Sequence, residues 1–80
     1  MLLLTAVPIL PYRKYVLTSR PHHDAELQRW IPAASVAWQG ISKFHYHQLK
    51  DLDDTFQTEE EALAFGFIAA RSWIDEHQQD

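Results

Sequence analysis

Thr58-Glu59-Glu60-Glu61-Ala62 decides how the rest of this 80-residue chain is read. A threonine hydroxyl at a helix N-cap accepts a hydrogen bond from a first-turn amide, and a glutamate three residues later reaches back to the cap amide. Glu59, Glu60 and Glu61 also stand where the positive end of the helix dipole favours anions. The stretch therefore predicts a helix from Glu59 to about His77. At ~100° per residue, Ala62, Leu63, Gly66, Phe67, Ala69, Ala70, Trp73 and Ile74 gather on one side. A mid-helix glycine costs about 1 kcal/mol relative to alanine. Gly66, near the middle of that side, is thus expected to approach a sheet closely, under an aromatic ring. Phe65 flanks the stripe, and Ile68 falls on the polar side with Ala64, Arg71 and Asp75.

Everything upstream reads as strands and turns. Tyr12 to Arg20 alternates and is rich in aromatic and β-branched residues, with Tyr15 and Leu17 on one face and Lys14, Val16 and Thr18 on the other. Pro21 ends it, and His22 to Gln28 is a polar connection. Arg29 to Trp38 forms the second strand, with Pro32 confined to an edge, a strand start or a bulge. Trp30, Ala34, Val36 and Trp38 share a parity suited to burial. Gln39-Gly40 supplies a two-residue turn with glycine at positive φ. The third strand runs from about Ile41 to Leu49, Phe44 and Tyr46 pointing one way and Lys43, His45 and His47 the other. The expected fold class is α+β: a three-stranded antiparallel meander (about 12–20, 29–38 and 41–49) packed by one C-terminal helix (about 59–77). Residues 12–80 make a single domain, preceded at 1–11 by an apolar arm, either flexible or docked as an extra edge strand.

That layout, together with Thr58-x-x-Glu61-Ala62-Leu63 at the helix start, resembles HicB-like β-β-β-α domains and short bacterial proteins of similar build. The resemblance implies the same core and binding of a small toxin partner.

Composition narrows the function. With no cysteine there is neither a disulfide framework nor thiolate zinc ligation. The apolar opening is too short to span a bilayer and lacks a basic signal region, so a cytoplasmic protein without membrane contact is expected. The net charge of −4 hides a split. Residues 1–50 carry Arg13, Lys14, Arg20, Arg29, Lys43 and Lys50 against Asp24 and Glu26, whereas residues 51–80 carry nine carboxylates against Arg71 alone. Such asymmetry bears on association and partner choice.

No serine or threonine accompanies a histidine base in a catalytic pattern, and with only Gly40 and Gly66 there is no phosphate-cradling loop. No catalytic residue, enzyme activity or cofactor is assigned. His45 and His47 share a strand face and, with His22 and His23, suggest a three-histidine zinc or nickel site, but solvent-side histidines explain them as well, and no metal site is assigned. Asp51, Asp53 and Asp54 lack the glycine and distal glutamate of a calcium loop and read as a solvated connection. Phe65 and Ile68 are the candidate interaction residues, because exposed apolar patches mark contact surfaces. Small scaffolds without staples gain area by oligomerising, so the expected function is a non-enzymatic binding module working through protein–protein contact or homodimerisation. The alternative is a nucleic-acid-binding module using Lys14, Lys43, His45 and His47 on a basic, aromatic sheet face.

Overall fold

The computed structural model describes residues 9–50 and 52–77. The α+β class is as expected, but among the described residues six strands precede the helix: β1 (Ile9–Tyr12), β2 (Tyr15–Ser19), β3 (His22–Asp24), β4 (Arg29–Ile31), β5 (Ala34–Gln39) and β6 (Phe44–Gln48), followed by α1 (Glu59–His77). The order β1-β2-β5-β6 makes a four-stranded sheet, and β3-β4 a two-stranded one; every pairing is antiparallel. Part of the expected arm, from Ile9 to Pro11, thus belongs to an edge strand, while residues 1–8 lie outside the described residues.

Two expected boundaries move for identifiable reasons. Tyr12 and Tyr15 face each other across a two-residue turn, Arg13-Lys14, so the first expected strand is really the end of one strand and all of the next. Arg13 takes a φ of 57° there, a position usually given to glycine, so no glycine marks the turn. The second change is the hairpin β3-β4. It continues the register of β2 and β5 without a slip, because Ser19 faces Ala34, the Arg20 amide donates to the Ala33 carbonyl at 2.8 Å, and His22 faces Ile31. Pro21 and Pro32 therefore face each other in one long hairpin. Backbone groups along an antiparallel strand alternate between its two neighbours. The Arg20–Ala33 bond fixes that alternation, so both proline nitrogens point away from each other, toward the positions of the flanking strands. Lacking N–H groups, they offer those strands no donor. The four-stranded sheet ends at the prolines, and a two-stranded extension continues beyond them. The expected second strand spans this break, which is why Trp30 belongs to a different sheet from Ala34, Val36 and Trp38.

At the extension's tip the Asp24 carboxylate accepts from the amides of Glu26 (2.9 Å) and Leu27 (3.0 Å), and the Gln28 amide bonds back to the Asp24 carbonyl at 2.7 Å. The chain returning from β6 rejoins the extension at Phe56, which exchanges two backbone bonds with Trp30 (2.7 and 2.9 Å). The Arg29 guanidinium holds this return, donating to the Thr55 hydroxyl at 3.1 Å and the Thr55 carbonyl at 2.9 Å. The helix then starts where its cap residues put it, with the Glu61 amide donating to the Thr58 hydroxyl at 3.2 Å.

The core lies between α1 and one face of the four-stranded sheet. Leu17, Val36, Ala62, Ala70 and Ile74 are fully buried, and Tyr15, Trp38, Phe67 and Trp73 pack around them. Gly66 does approach the sheet closely, but its neighbour is a serine rather than an aromatic. A Cβ at position 66 would lie 3.2 Å from Ser19 Cβ and collide with Ser19 Oγ. That hydroxyl, fully buried, donates to the Leu63 carbonyl at 2.9 Å. Among the described residues, no helix is long and apolar enough to cross a membrane.

Candidate functional site

The sheet has one covered and one open face, and ladder register assigns every side chain to one of them. The strand alternation, with Leu17 opposite Val36 and Val36 opposite His47, puts Tyr15, Leu17, Ser19, Ala34, Val36, Trp38, His45 and His47 on the helix side. Ile9, Pro11, Val16, Thr18, Ser35, Ala37, Gln39, Phe44, Tyr46 and Gln48 are left on the other, which no element among the described residues covers.

This reverses the expected facing of β6. His45 and His47 are not solvent-side partners of Lys43; they line the helix side. His45 stacks on Trp38 (5.1 Å between ring centres, 14° between planes), and His47 stacks on Trp73 (4.6 Å, 17°). His77 stacks on Trp73 as well, at 4.3 Å, with Nδ1 2.8 Å from the Trp73 carbonyl. Trp38, Trp73 and Tyr15 complete an aromatic layer. Phe44 and Tyr46, which do point opposite to the histidines, are 63% and 64% exposed. The alternation of β6 is visible in sequence, but its sign is not, since aromatic and imidazole rings both stack well on tryptophan. The turn before it is also displaced. The Gly40 amide donates to the Lys43 carbonyl at 2.8 Å, so the turn residues are Ile41-Ser42 rather than Gln39-Gly40. Gly40 does not have positive φ; its lack of a side chain instead makes room for the His45 ring, whose Nε2 would lie 2.6 Å from a Cβ.

The remaining candidates are dispersed. Lys14 and Lys43 occupy the two turns at one end of the main sheet, both exposed and neither on a strand. Phe65 is half-buried against Phe56, at 5.2 Å between ring centres, and Ile68 is 60% exposed beside Arg71, Ser72 and Asp75. Asp53 and Asp54 are exposed, and Asp51 lies outside the described residues. Among the described residues, no three histidine, aspartate or glutamate side chains converge on a common point suited to a metal. The outer helix surface is joined to β1 by a polar clasp: the Tyr12 hydroxyl donates to Asp75 at 2.9 Å, Arg13 Nε lies 3.4 Å from the same carboxylate, and the Arg71 guanidinium sits 5.1 Å from the Tyr12 ring centre.

What the register brings together instead is a partly apolar surface whose strand positions bear no carboxylate. The open-face positions of the four strands carry no carboxylate, and Ile9, Val16, Phe44 and Tyr46 are all substantially exposed there. Its two boundaries differ. The β5–β6 bonds from the Leu49 amide to the Ala34 carbonyl (2.9 Å) and from Gly40 to Lys43 fix the ladder parity. The backbone groups of His45 and His47 face β5, and those of Phe44, Tyr46 and Gln48 face outward. On β1, by the same alternation, the outward-facing positions are Ile9 and Pro11, and Pro11 has no donor to offer. Comparison with models of protein families, with curated proteins and with solved structures gives no match for this chain.

Proposed function

We propose that this chain is a small non-enzymatic binding module acting through protein–protein contact, and that its partner is a second copy of itself joined along β6. One observation carries the reading: among the described residues β6 is an edge strand whose outward backbone groups, at Phe44, Tyr46 and Gln48, have no strand partner. The strand has no proline and no formal charge, the two devices by which edges are commonly protected. The opposite edge is guarded by Pro11. Two β6 strands paired antiparallel about a two-fold axis at Tyr46 set Phe44 against Gln48 of the second copy, in a self-complementary contact. Each outward backbone group then meets its counterpart, and the exposed aromatic rings form one apolar strip across both subunits.

Sedimentation velocity over a concentration series tests this. The native chain is expected to sediment as a dimer at high concentration. Tyr46→Pro removes the outward N–H while leaving the inward bonds of His45 and His47 in place, and is expected to give a folded monomer. Ile68→Glu, on the helix surface, is expected to leave the dimer unchanged. A native chain that stays monomeric at every concentration rejects the homodimer; a dimer lost in Ile68→Glu and kept in Tyr46→Pro moves the contact to the helix.

The second reading is single-stranded nucleic acid on the open face. Exposed Phe44 and Tyr46, a face without carboxylates and the nearby Lys14 and Lys43 favour it. Retention of single-stranded DNA or RNA at low salt and release at high salt is its expected signature; no retention at low salt removes it.

A further inference from the structure

The open face is not flat. On that side β5 carries short side chains at Ser35 and Ala37, continued by Ala33 just before the strand and bounded by Gln39 at its far end, while β2 and β6 raise longer ones on either flank. The hollow deepens beside the proline break into a pocket of about 160 Å³ lined by Thr18, Arg20, Ala33, Ala34, Ser35, Tyr46 and Gln48. Thr18, Ser35 and Gln48 stand side by side across three strands, since Thr18 faces Ser35 and Ser35 faces Gln48. Arg20 follows Thr18 by two residues, at the end of the row. The pocket thus joins one guanidinium, three hydroxyls and one amide, and no carboxylate lines it. Among the described residues the Arg20 side chain has no ion-pair or hydrogen-bond partner, unlike Arg13 and Arg29.

We infer that this pocket binds the phosphate group of a phosphorylated small ligand. A guanidinium presents a rigid fork of donors matched to oxyanions, and hydrogen bonds to a charged acceptor are stronger than neutral ones. The hydroxyls of Thr18 and Ser35 and the Gln48 amide supply the further donors that the remaining phosphate oxygens require. The pocket, at about 160 Å³ and open to solvent, has room for a phosphate group. Any aromatic body attached to the phosphate lies over the Tyr46 ring, which walls the pocket and is 64% exposed. The site is on the face of the sheet, so pairing along β6 leaves it accessible, and the two proposals stand or fall separately.

The test is a titration of the full-length chain followed by backbone and side-chain amide NMR, with chloride at matched ionic strength as the control. Inorganic phosphate and a nucleoside 5′-monophosphate are the two probes. Saturable shifts at Thr18, Ser35 and the Gln48 side-chain amide with either probe are expected. At least tenfold tighter binding of the nucleotide is expected and identifies a phosphate monoester with its base on Tyr46; equal affinity for both overturns the phosphorylated ligand and leaves a site for a free oxyanion. Arg20→Gln, at an exposed position, is expected to keep the native melting temperature and weaken binding at least tenfold; Arg20→Lys is expected to fall between the two. The inference is overturned if neither probe shifts these signals beyond the chloride control, or if Arg20→Gln binds like the native chain.

Discussion

Gly66 and Ser19 show how one residue pair sets the distance between the two layers. Glycine is a poor helix residue, yet a Cβ at 66 would strike the Ser19 hydroxyl, and that hydroxyl is itself held by the Leu63 carbonyl at 2.9 Å. Gly66→Ala gains about 1 kcal/mol of helix propensity and loses about 1–3 kcal/mol to overpacking, so a net loss of stability is expected. Ser19→Ala in the same chain removes the colliding oxygen and is expected to restore much of that loss. A double-mutant cycle by chemical denaturation measures the coupling; additive effects would place the strain elsewhere. The position was legible as a close approach because glycine is costly there. The partner was not, since helix periodicity specifies which side faces the sheet and not which strand residue lies beneath it.

At the scale of elements, the prolines and Arg29 explain how a nominal meander becomes a sheet with an extension. Pro21 and Pro32 offer the flanking strands no donor, and the return from β6 bypasses the break before meeting Trp30 at Phe56. Arg29 secures that bypass through two bonds to Thr55, both partly buried. Hydrogen bonds to charged groups contribute about 1.5–3 kcal/mol, so Arg29→Ala is expected to cost on the order of 2 kcal/mol. Hydrogen exchange should quicken at the amides of Trp30 and Phe56 well before those of Leu17 or Val36. Uniform loss of protection would mean that the return segment is not locally held. Each proline is visible in the sequence as an edge or break signal. That they face each other becomes evident only once the turn is placed at Ala25–Gln28, where Gln28 adopts a φ of 54° without a glycine to announce it.

For the whole molecule, the charge division read along the chain becomes a division by layer. The carboxylates after residue 58 belong to α1 among the described residues, while the open sheet face has none at its strand positions. Among the described residues one sheet face is uncovered, and of the two sheet edges β1 carries a proline at an outward-facing position while β6 does not. Pro11→Val gives that edge a donor without touching the bonds to β2. If β6 already pairs with a second copy, this variant is expected to form species larger than the dimer in sedimentation at high concentration. A distribution identical to that of the native chain would show that Pro11 is not the guard.

The sequence by itself determined the α+β class, the helix start at Thr58, the buried stripe through Ala62, Gly66, Ala70 and Ile74, and the alternation within β2, β5 and β6. These are local properties, set by capping chemistry, by ~100° helical spacing and by the two-residue strand period. Only the tertiary structure decided which phase of β6 faces the helix, because Phe44, His45, Tyr46 and His47 all carry rings able to pack against tryptophan. Trp38 and Trp73 take the imidazoles. That choice turns Phe44 and Tyr46 outward and removes His45 and His47 from the open sheet face. The candidate site moves with them, from the residues whose chemistry stands out in the sequence to an edge and a hollow that exist only once the strands are paired.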